Sequence, residues 1–510
     1  MDLMEHQPQI PPFNRLYTSE QSRELDRQTI SDFGIDGFTL MEIAASGAAR
    51  RIASMQGENR TGLFLCGKGN NAGDALAVAR YLVNEQNHRV TIILLFGESG
   101  LSEDCETNLQ LLKKCRDAGQ TITIEPYHGD INPNRFDYVV DGLFGTGLSG
   151  ELRDPLPGLI RKINQSAALI YSMDIPTGLN GDTGNIHGSA ISAHITFSFG
   201  TNKQGFYLNQ GRELSGTVEL VQLPFPKHLF PEPNTRLIDE SLLESLHLPT
   251  REARHKYDGG VVHIIAGSSG LTGAAVMAAQ SAWNRGAGAV ILYSPAGLMP
   301  VYEHHLPEII KISVGKTDDL FYKISHGDLI LEHLQKKPGT LLIGPGIGKE
   351  ETTGELVATI LERHDGYTIV DADALFFFER IESVSPQIKR NWIFTPHIGE
   401  AKSSLNGSFT DCDAERLEWA ESFTKKHQIS LLLKGNPLFV TQPNEPPLIT
   451  GYDTGMFNRA GFGDVLAGSA AAYLSITSSR EKAIISALLD GYKRYQSADH
   501  IKPFSPEYLL

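Results

Sequence analysis

The chain has 510 residues, 41% hydrophobic and 21% charged, a globular composition that excludes wholesale disorder. At about 150 residues per domain it is too long for one ordinary unit, and its 50 glycines and 26 prolines follow no triplet period, which excludes a collagen. A formal charge of −15 argues against a nucleic-acid backbone as partner, and no apolar run approaches the roughly 18 residues of a membrane span.

Residues 1–16 are polar and proline-rich, without the basic start and apolar run of a signal peptide, and are expected to be disordered or extended. Cys66, Cys105, Cys115 and Cys412 form no C-x-x-C pair, so neither a zinc ribbon nor a disulfide framework is suggested. A soluble cytoplasmic protein, with neither membrane nor nucleic acid as partner, is the expectation.

Short apolar runs then alternate with amphipathic stretches. Gly62–Cys66, Val90–Phe96, Tyr138–Val140, Leu169–Met173 and Ile195–Phe199 read as strands, with Ala75–Asn84 and Glu103–Cys115 as helices between them. Strands separated by helices imply parallel pairing in a doubly wound sheet. LPFPKHLFPEPNTR, residues 223–236, carries four prolines and reads as a linker. The alternation resumes with Val261–Ala266, Ala289–Tyr293, Thr340–Ile343, Thr368–Val370, Trp392–Phe394 and Ser430–Leu433 as strands. Ala274–Arg285 and Val465–Leu474 are alanine-rich helices suited to close packing on a sheet. Two α/β units of similar class are expected.

Chemistry gathers at strand ends. CGKGNNAGD, from Cys66 to Asp74, follows a strand and opens a helix. Its glycines let amides approach a ligand, and a helix start favours an anion. The match to a dinucleotide fingerprint is loose, and Asn70, Asn71 and Asp74 serve equally well as turn-forming residues or as ligand contacts. A second strand ends in Asp141, followed by a glycine loop with the hydroxyls Thr146 and Ser149. A third ends in Asp174, whose turn Pro176 fixes. In open α/β sheets ligands lie along this edge.

The segments LDRQTISDFGIDGFTLME, CGKGNNAGDALAVARYL, VVDGLFGTGLSGELRDP and MDIPTGLNGDTG occur in this order, and residues 17–226 resemble the NAD(P)H-hydrate epimerase (YjeF N-terminal) family. The resemblance implies a Rossmann-like αβα domain acting on NADH or NADPH hydrated at C6 of the nicotinamide ring, with a potassium ion. It implies substrate contacts at Asn70, Asn71, Ala72, Gly73 and Asp74, and at Gly145, Thr146, Gly147, Leu148, Ser149, Gly150 and Glu151. Potassium would sit on Asn71, Asp141 and Thr177, with Asp174 as acid/base. Carboxylate, amide and hydroxyl oxygens suit such a hard cation. Ile43 stands where the family usually has Asn, which removes an amide from the expected pocket. Ala72 and Ala75 stand for Gly, and Thr177 for Ser.

In the second half, GPGIGK lacks the Ser or Thr of a P-loop. VDADAL and TPHIGEA place Asp371, Asp373, His397 and Glu400 after strands, and RAGFGDVLAG opens a helix whose first turn carries Asp464. The amides of Gly461–Gly463 can form an anion hole, with Asp464 as base or as an ordinary helix-start charge. With GSSGLTGAA, NRGAGAV and LLKG these segments resemble the ribokinase-like, ADP-dependent NAD(P)H-hydrate dehydratase (YjeF C-terminal) family over residues 251–510, with 227–250 left as linker. The resemblance implies a ribokinase-like αβα domain that uses ADP, or ATP in its place, with Mg2+. Ala274, Gly348, His397 and Asp464 would lie on the hydrated dinucleotide, Asp464 as base. Lys434, Gly435, Asn436, Pro437, Leu438 and Gly463 would face the adenine nucleotide. It also implies a homo-oligomer.

Phe462 replaces a usual hydroxyl residue, removing a donor and adding bulk, and residues 453–459 depart from the family pattern. A catalytically impaired second half, or a ribokinase-type small-molecule kinase, therefore stands as an alternative to the full two-step repair of hydrated NAD(P)H.

Overall fold

The computed structural model describes residues 12–148, 150–245, 259–498 and 504–510. They group into two compact units that divide between Thr235 and Arg236.

The strands of the first unit are β1 (Arg15–Tyr17), β2 (Thr61–Cys66), β3 (Arg89–Leu94), β4 (Ile122–Pro126), β5 (Tyr138–Gly142), β6 (Leu169–Met173), β7 (Ile195–Phe199), β8 (Asn202–Lys203) and β9 (Thr217–Val221). Seven of them form one sheet in the order β4-β3-β2-β5-β6-β7-β9, with every neighbouring pair parallel. Helices cover both faces, so the central strands read as nearly unbroken apolar runs. Phe64 and Val140 face the helices Gly37–Gln56 and Asn70–Gln86, and Leu63, Leu65 and Val139 face the helix Leu156–Asn164. The strand order reverses between β2 and β5, which opens a crevice at their carboxyl ends. The edge strand β4 shows little burial periodicity, and its sequence does not stand out as a strand.

Residues 1–11 lie outside the described part, and 12–16 is ordered. Pro12–Asn14 makes a turn, and β1 pairs in parallel with β8, Tyr17 opposite Lys203. Leu16 and Tyr17 are buried, which explains the order. Within the 227–250 segment, Thr235–Ile238 is a fully buried strand, β10, and Glu240–Ser245 is helical, while 246–250 lies outside the described residues. The apolar Leu237 and Ile238 give the sheet of the second unit a strand where the proline-rich sequence suggests a spacer.

The second unit continues with β11 (Val261–Ile265), β12 (Ala289–Pro295), β13 (Ile310–Val314), β14 (Thr340–Ile343), β15 (Thr368–Val370), β16 (Trp392–Phe394), β17 (Ser430–Leu433), β18 (Phe439–Gln442) and β19 (Glu445–Thr450). Its order is β13-β12-β11-β14-β15-β16-β17-β18-β19-β10, parallel except where β18 pairs with β17 and β19. The helices Thr272–Asn284 and Phe462–Thr477 approach closely, because a Cβ on Gly468 would stand 2.2 Å from the Ala278 carbonyl oxygen. Among the described residues no helix is long and apolar enough to cross a membrane.

The first unit depends on a similar approach. A Cβ on Gly142, at the end of β5, would stand 2.5 Å from Ala75 Cβ and 2.9 Å from the Asn71 carbonyl oxygen. Gly142→Ala should therefore destabilise this unit by about 1–3 kcal/mol, read as an earlier urea transition in far-UV circular dichroism. Trp283, Trp392 and Trp419, the three tryptophans of the chain, all lie in the second unit, so tryptophan fluorescence should show a second-unit transition that does not move.

Candidate active sites

The crevice of the first unit opens into a cavity of about 750 Å³. Gly69 starts the helix Asn70–Gln86 without any side-chain cap, leaving its first amides to face the cavity. Asn71 is only 8% exposed, and neither its amide nitrogen nor its oxygen has a hydrogen-bond partner. A Cβ on Gly145 would come 3.9 Å from Asn71 Oδ1, so the glycine loop passes beside this amide. Asn70, Asn71, Asp74, Gly145, Thr146, Gly147, Leu148 and Asp174 all line the cavity.

Beneath it lies Asp141, wholly buried. It accepts from Ser172 Oγ (2.9 Å), Thr177 N (2.8 Å), Thr177 Oγ1 (2.6 Å) and Leu143 N (3.3 Å). Burial raises its carboxyl above the ordinary range, and these donors oppose the rise. Thr177 Oγ1 also accepts from Phe144 N (3.1 Å), tying the Asp141 loop to the Asp174 loop.

Asp174 follows β6 with φ +60°, a left-handed conformation that costs a non-glycine residue about 1–2 kcal/mol. Its amide donates to the Phe197 carbonyl at 2.8 Å. Its Oδ1 accepts from Phe199 N at 3.3 Å and pairs with Lys203 Nζ. The Lys203 side chain is 1% exposed and also donates to Ser198 Oγ at 3.0 Å. Asp26, on the helix Ser19–Arg27, completes this end of the cavity.

Several expectations change here. Ala72 and Gly73 are buried in the first turn of their helix, Gly73 under Met41, and do not line the cavity. Gly150 and Glu151 also stand outside it, and Ser149 lies outside the described residues. Ile43 is exposed, while its neighbours Met41 and Ala44 face the cavity, so it takes nothing from the pocket. Lys203 and Asp26 were missed. Lys203 follows a strand by one short loop, which was a legible signal, whereas Asp26 sits in a polar helix like any solvated charge.

In the second unit β15, β16 and β17 are followed by Asp371, Thr395 and Lys434, and Asp371 and Lys434 line a cavity of about 470 Å³. Lys434 Nζ lies 2.9 Å from Asp371 Oδ1, which also accepts from Thr395 Oγ1 at 2.6 Å. A Cβ on Gly463 would stand 3.3 Å from Lys434 Nζ, so the ammonium sits at the start of the helix Phe462–Thr477. Burial pushes Asp464 in that first turn up to about 7, the Asp371 charge adding and Lys434 opposing. His397 caps the helix Ile398–Ser404. Its Nδ1 accepts from Glu400 N at 3.1 Å, and its amide donates to Glu400 Oε2 at 2.9 Å.

His397, Lys434, Gly435, Gly463 and Asp464 line this cavity, while Ala274, Gly348, Asn436, Pro437 and Leu438 do not. Gly348 N donates to Asp373 Oδ2 at 3.2 Å, two residues after Asp371. Ala274 packs against Gly346. Asn436 holds its loop through Asp453 Oδ1 at 2.5 Å. Leu438 lines a smaller apolar cavity of about 80 Å³, which shares Lys434, Gly435 and Gly463 with the first.

Phe462 turns into the core beside the anion-binding turn, where it also lines the smaller cavity. It is 3% exposed and packs with Val465 and Leu509, stacked on Phe504 at 5.4 Å and edge-on to Phe457 at 5.5 Å. Gly461, at φ +96°, turns the chain so that the ring points inward while the neighbouring amides stay at the helix start.

Residues 37–205 match the family described as YjeF-related protein N-terminus, and residues 262–502 match the one described as NAD(P)H-hydrate dehydratase. A bifunctional NAD(P)H-hydrate repair enzyme of Salinibacter ruber is 32% identical over 473 residues, covering 88% of this chain and 86% of its own. One of Dictyoglomus turgidum is 32% identical over 486 residues, covering 94% and 93%. A solved ADP/ATP-dependent NAD(P)H-hydrate dehydratase from Bacillus subtilis, co-crystallised with ATP and Mg2+, is 22% identical with a TM-score of 0.45, over 54% of this chain and 94% of its own. Two α/β units, each with an acidic cavity at the carboxyl edge of its sheet, thus carry a YjeF N-terminal sequence and a dehydratase sequence in tandem. The chain belongs to the family of bifunctional NAD(P)H-hydrate repair enzymes.

The inward packing of Phe462 gives a direct expectation. Phe462→Ala should destabilise the second unit by about 3–5 kcal/mol, read by tryptophan fluorescence in urea, whereas Phe462→Leu should cost less than half of that.

Proposed function

We propose that the first cavity interconverts the two C6 epimers of hydrated NADH or NADPH, and that the second dehydrates the S epimer at the expense of ADP or ATP. The observation that carries this reading is the pair of separate cavities, each with an aspartate set against a lysine at a strand end: Asp174 with Lys203, and Asp464 beside the Lys434–Asp371 pair.

In the first cavity the amides of the helix Asn70–Gln86 would take the substrate phosphates, and the loop from Gly145 to Leu148 would close on the nucleotide. Asp174 would move a proton at the C6 oxygen. Asn71, Asp141 and Thr177 fit a potassium ion: Asn71 offers a buried amide oxygen that no group of the chain satisfies, Thr177 a hydroxyl oxygen, and Asp141 the negative charge. When bound, the ion supplies a fixed positive charge under the substrate.

In the second cavity Asp464 would remove the proton of the C6 hydroxyl as its oxygen attacks the terminal phosphoryl group, the P–O bond to the nucleotide breaking to release AMP from ADP or ADP from ATP. Phosphate is then the leaving group: the C6–O bond breaks with its electron pair on phosphate, a proton passes from C5 to water, and the dihydronicotinamide ring is restored. Lys434 and the amides from Gly461 to Gly463 would balance charge on the transferring phosphoryl group. Among the described residues no three His, Cys, Asp or Glu side chains are grouped to hold a metal, so Mg2+ would arrive on the nucleotide phosphates.

The test supplies hydrated NADH and follows the return of reduced-nicotinamide absorbance with ADP, with ATP and with neither. Recovery should require nucleotide, and recovery without it, or none with either, refutes the dehydratase reading. Asp464→Asn should slow recovery by at least about a hundredfold. Asp174→Asn should let recovery stop once the S epimer is consumed. Because a base acts when deprotonated, recovery should fall as pH drops through about 7, where Asp464 gains its proton.

A further inference from the structure

We propose that Asp26 is the second proton-transfer group of the epimerase, working with Asp174 on the C6 oxygen. This rests on the epimerase reading of the first cavity.

Inversion at C6 through water loss needs a group that gives a proton to the departing hydroxyl and another that takes one from water arriving on the opposite face. Asp174 is committed to one end of an ion pair with Lys203, so it suits the accepting role. Asp26 lines the same cavity, and among the described residues its carboxyl makes no hydrogen bond and no ion pair. Its placement is built in. β1 leads through Thr18 into the helix Ser19–Arg27, and Tyr17 of β1 stands in register with Lys203. One turn before Asp26, on the same helix face, Ser22 Oγ is 2.7 Å from Thr201 Oγ1, two residues from Lys203. Two separate contacts therefore lock the carrier of Asp26 to the segment that holds Lys203 and Asp174. The unpartnered amide of Asn71 lines the same cavity.

The groups around Asp26 are Asp174 and Lys203 at the strand ends, Asp74 on the helix Asn70–Gln86, Lys68 and Asp104 further along the wall, and Arg23 on its own helix. Asp26 is exposed to the open cavity, and desolvation by the surrounding wall, the Asp174 charge adding and Lys203 opposing, raises its carboxyl to about 6. A carboxylic acid near that value gives up its proton readily close to neutral pH. Asp74 is raised well above the ordinary range by burial and by the same two carboxylates, which suits a neutral hydrogen-bond donor that keeps its proton.

The step balances. Asp26 gives its proton to the C6 hydroxyl, the C6–O bond breaks with its electron pair leaving on water, and the ring nitrogen lone pair forms the iminium. Water then bonds to C6 from the other face, the C=N pair returns to nitrogen, and Asp174 takes the released proton. Solvent in the open cavity returns that proton from Asp174 to Asp26. For the opposite epimer the two carboxyls exchange roles.

The experiment uses the full chain and hydrated NADH enriched in the R epimer, without nucleotide, with epimers separated by chromatography and spontaneous inversion subtracted. Asp26→Asn should lower kcat about a hundredfold with KM within about threefold, and should remove the loss of rate that the parent shows as pH rises through about 6. Asp26→Glu should restore part of the rate, which distinguishes proton transfer from a folding defect. An Asp26→Asn enzyme within about threefold of the parent, or one that keeps the same pH limb, or one affected only in KM, overturns the proposal. So does an Asp74→Asn enzyme that alone removes the limb. Asp174→Asn is the control for the underlying reading: full activity there refutes the cavity as the epimerase centre, whereas its inactivity beside an unaffected Asp26→Asn refutes Asp26 alone.

Discussion

A lysine ammonium at the carboxyl edge of each sheet holds together carboxyl groups that would otherwise repel one another. In the first unit Lys203 is surrounded by Asp174, Asp26 and Asp74, and in the second Lys434 serves Asp371 with Asp464 and Glu400 nearby. Two like charges about 4 Å apart near a protein surface repel by about 4 kcal/mol, a large part of a domain's stability. Desolvation disfavours the charged form of these carboxyls, and the neighbouring carboxylates add to it beyond what one ammonium offsets, so protons are taken up. Asp26 and Asp464 rise toward neutral pH, and ionising them costs folded stability as pH climbs through about 6 and about 7. The arrangement that strains the fold is therefore the one that sets acids and bases near the pH where they exchange protons.

The backbone at these edges serves the same end. Asp174 is held at φ +60° by the hydrogen bond its amide donates to the Phe197 carbonyl and by Lys203, and its carboxyl lines the cavity. Gly67 lets the end of β2 meet the loop after β5, where a Cβ would stand 2.0 Å from the Leu143 carbonyl oxygen. This close approach brings the Asn71 amide beside the glycine loop. In the second unit Gly461 does comparable work, turning Phe462 into the core so that Gly463 and Asp464 face Lys434.

What could be read from the chain was local. Asp141, Asp174, Asp371 and Lys434 each follow an apolar run directly, and a carboxylate or an ammonium after such a run falls at the productive edge of a parallel sheet. Strands at the sheet margins were less legible, since β4 and β13 are half-exposed and β19 begins with Glu445, Pro446 and Pro447. β10 was hidden behind prolines, although Leu237 and Ile238 give it a buried face. Asp26 depended on a pairing between segments far apart in sequence, Tyr17 with Lys203, which no local pattern reveals. Ala274 and Gly348 sit in signature segments but stand outside the residues that line the second cavity.

Several positions where the chain differs from the expected family pattern fall on the packing side of these edges, while Phe457, Asn458 and Arg459 line the second cavity itself. Ile43 faces solvent. Ala75 carries a methyl because the opposing residue, Gly142, has none: the two would otherwise stand 2.5 Å apart. Phe462 finds a slot among Phe457, Phe504 and Leu509, so its bulk is absorbed below the helix start instead of above it. Thr177, the one altered residue tied directly to the buried carboxylate, keeps the hydroxyl that binds Asp141 at 2.6 Å. Substitution is thus tolerated where volume can be traded against a neighbour and resisted where an oxygen must stand at a fixed place.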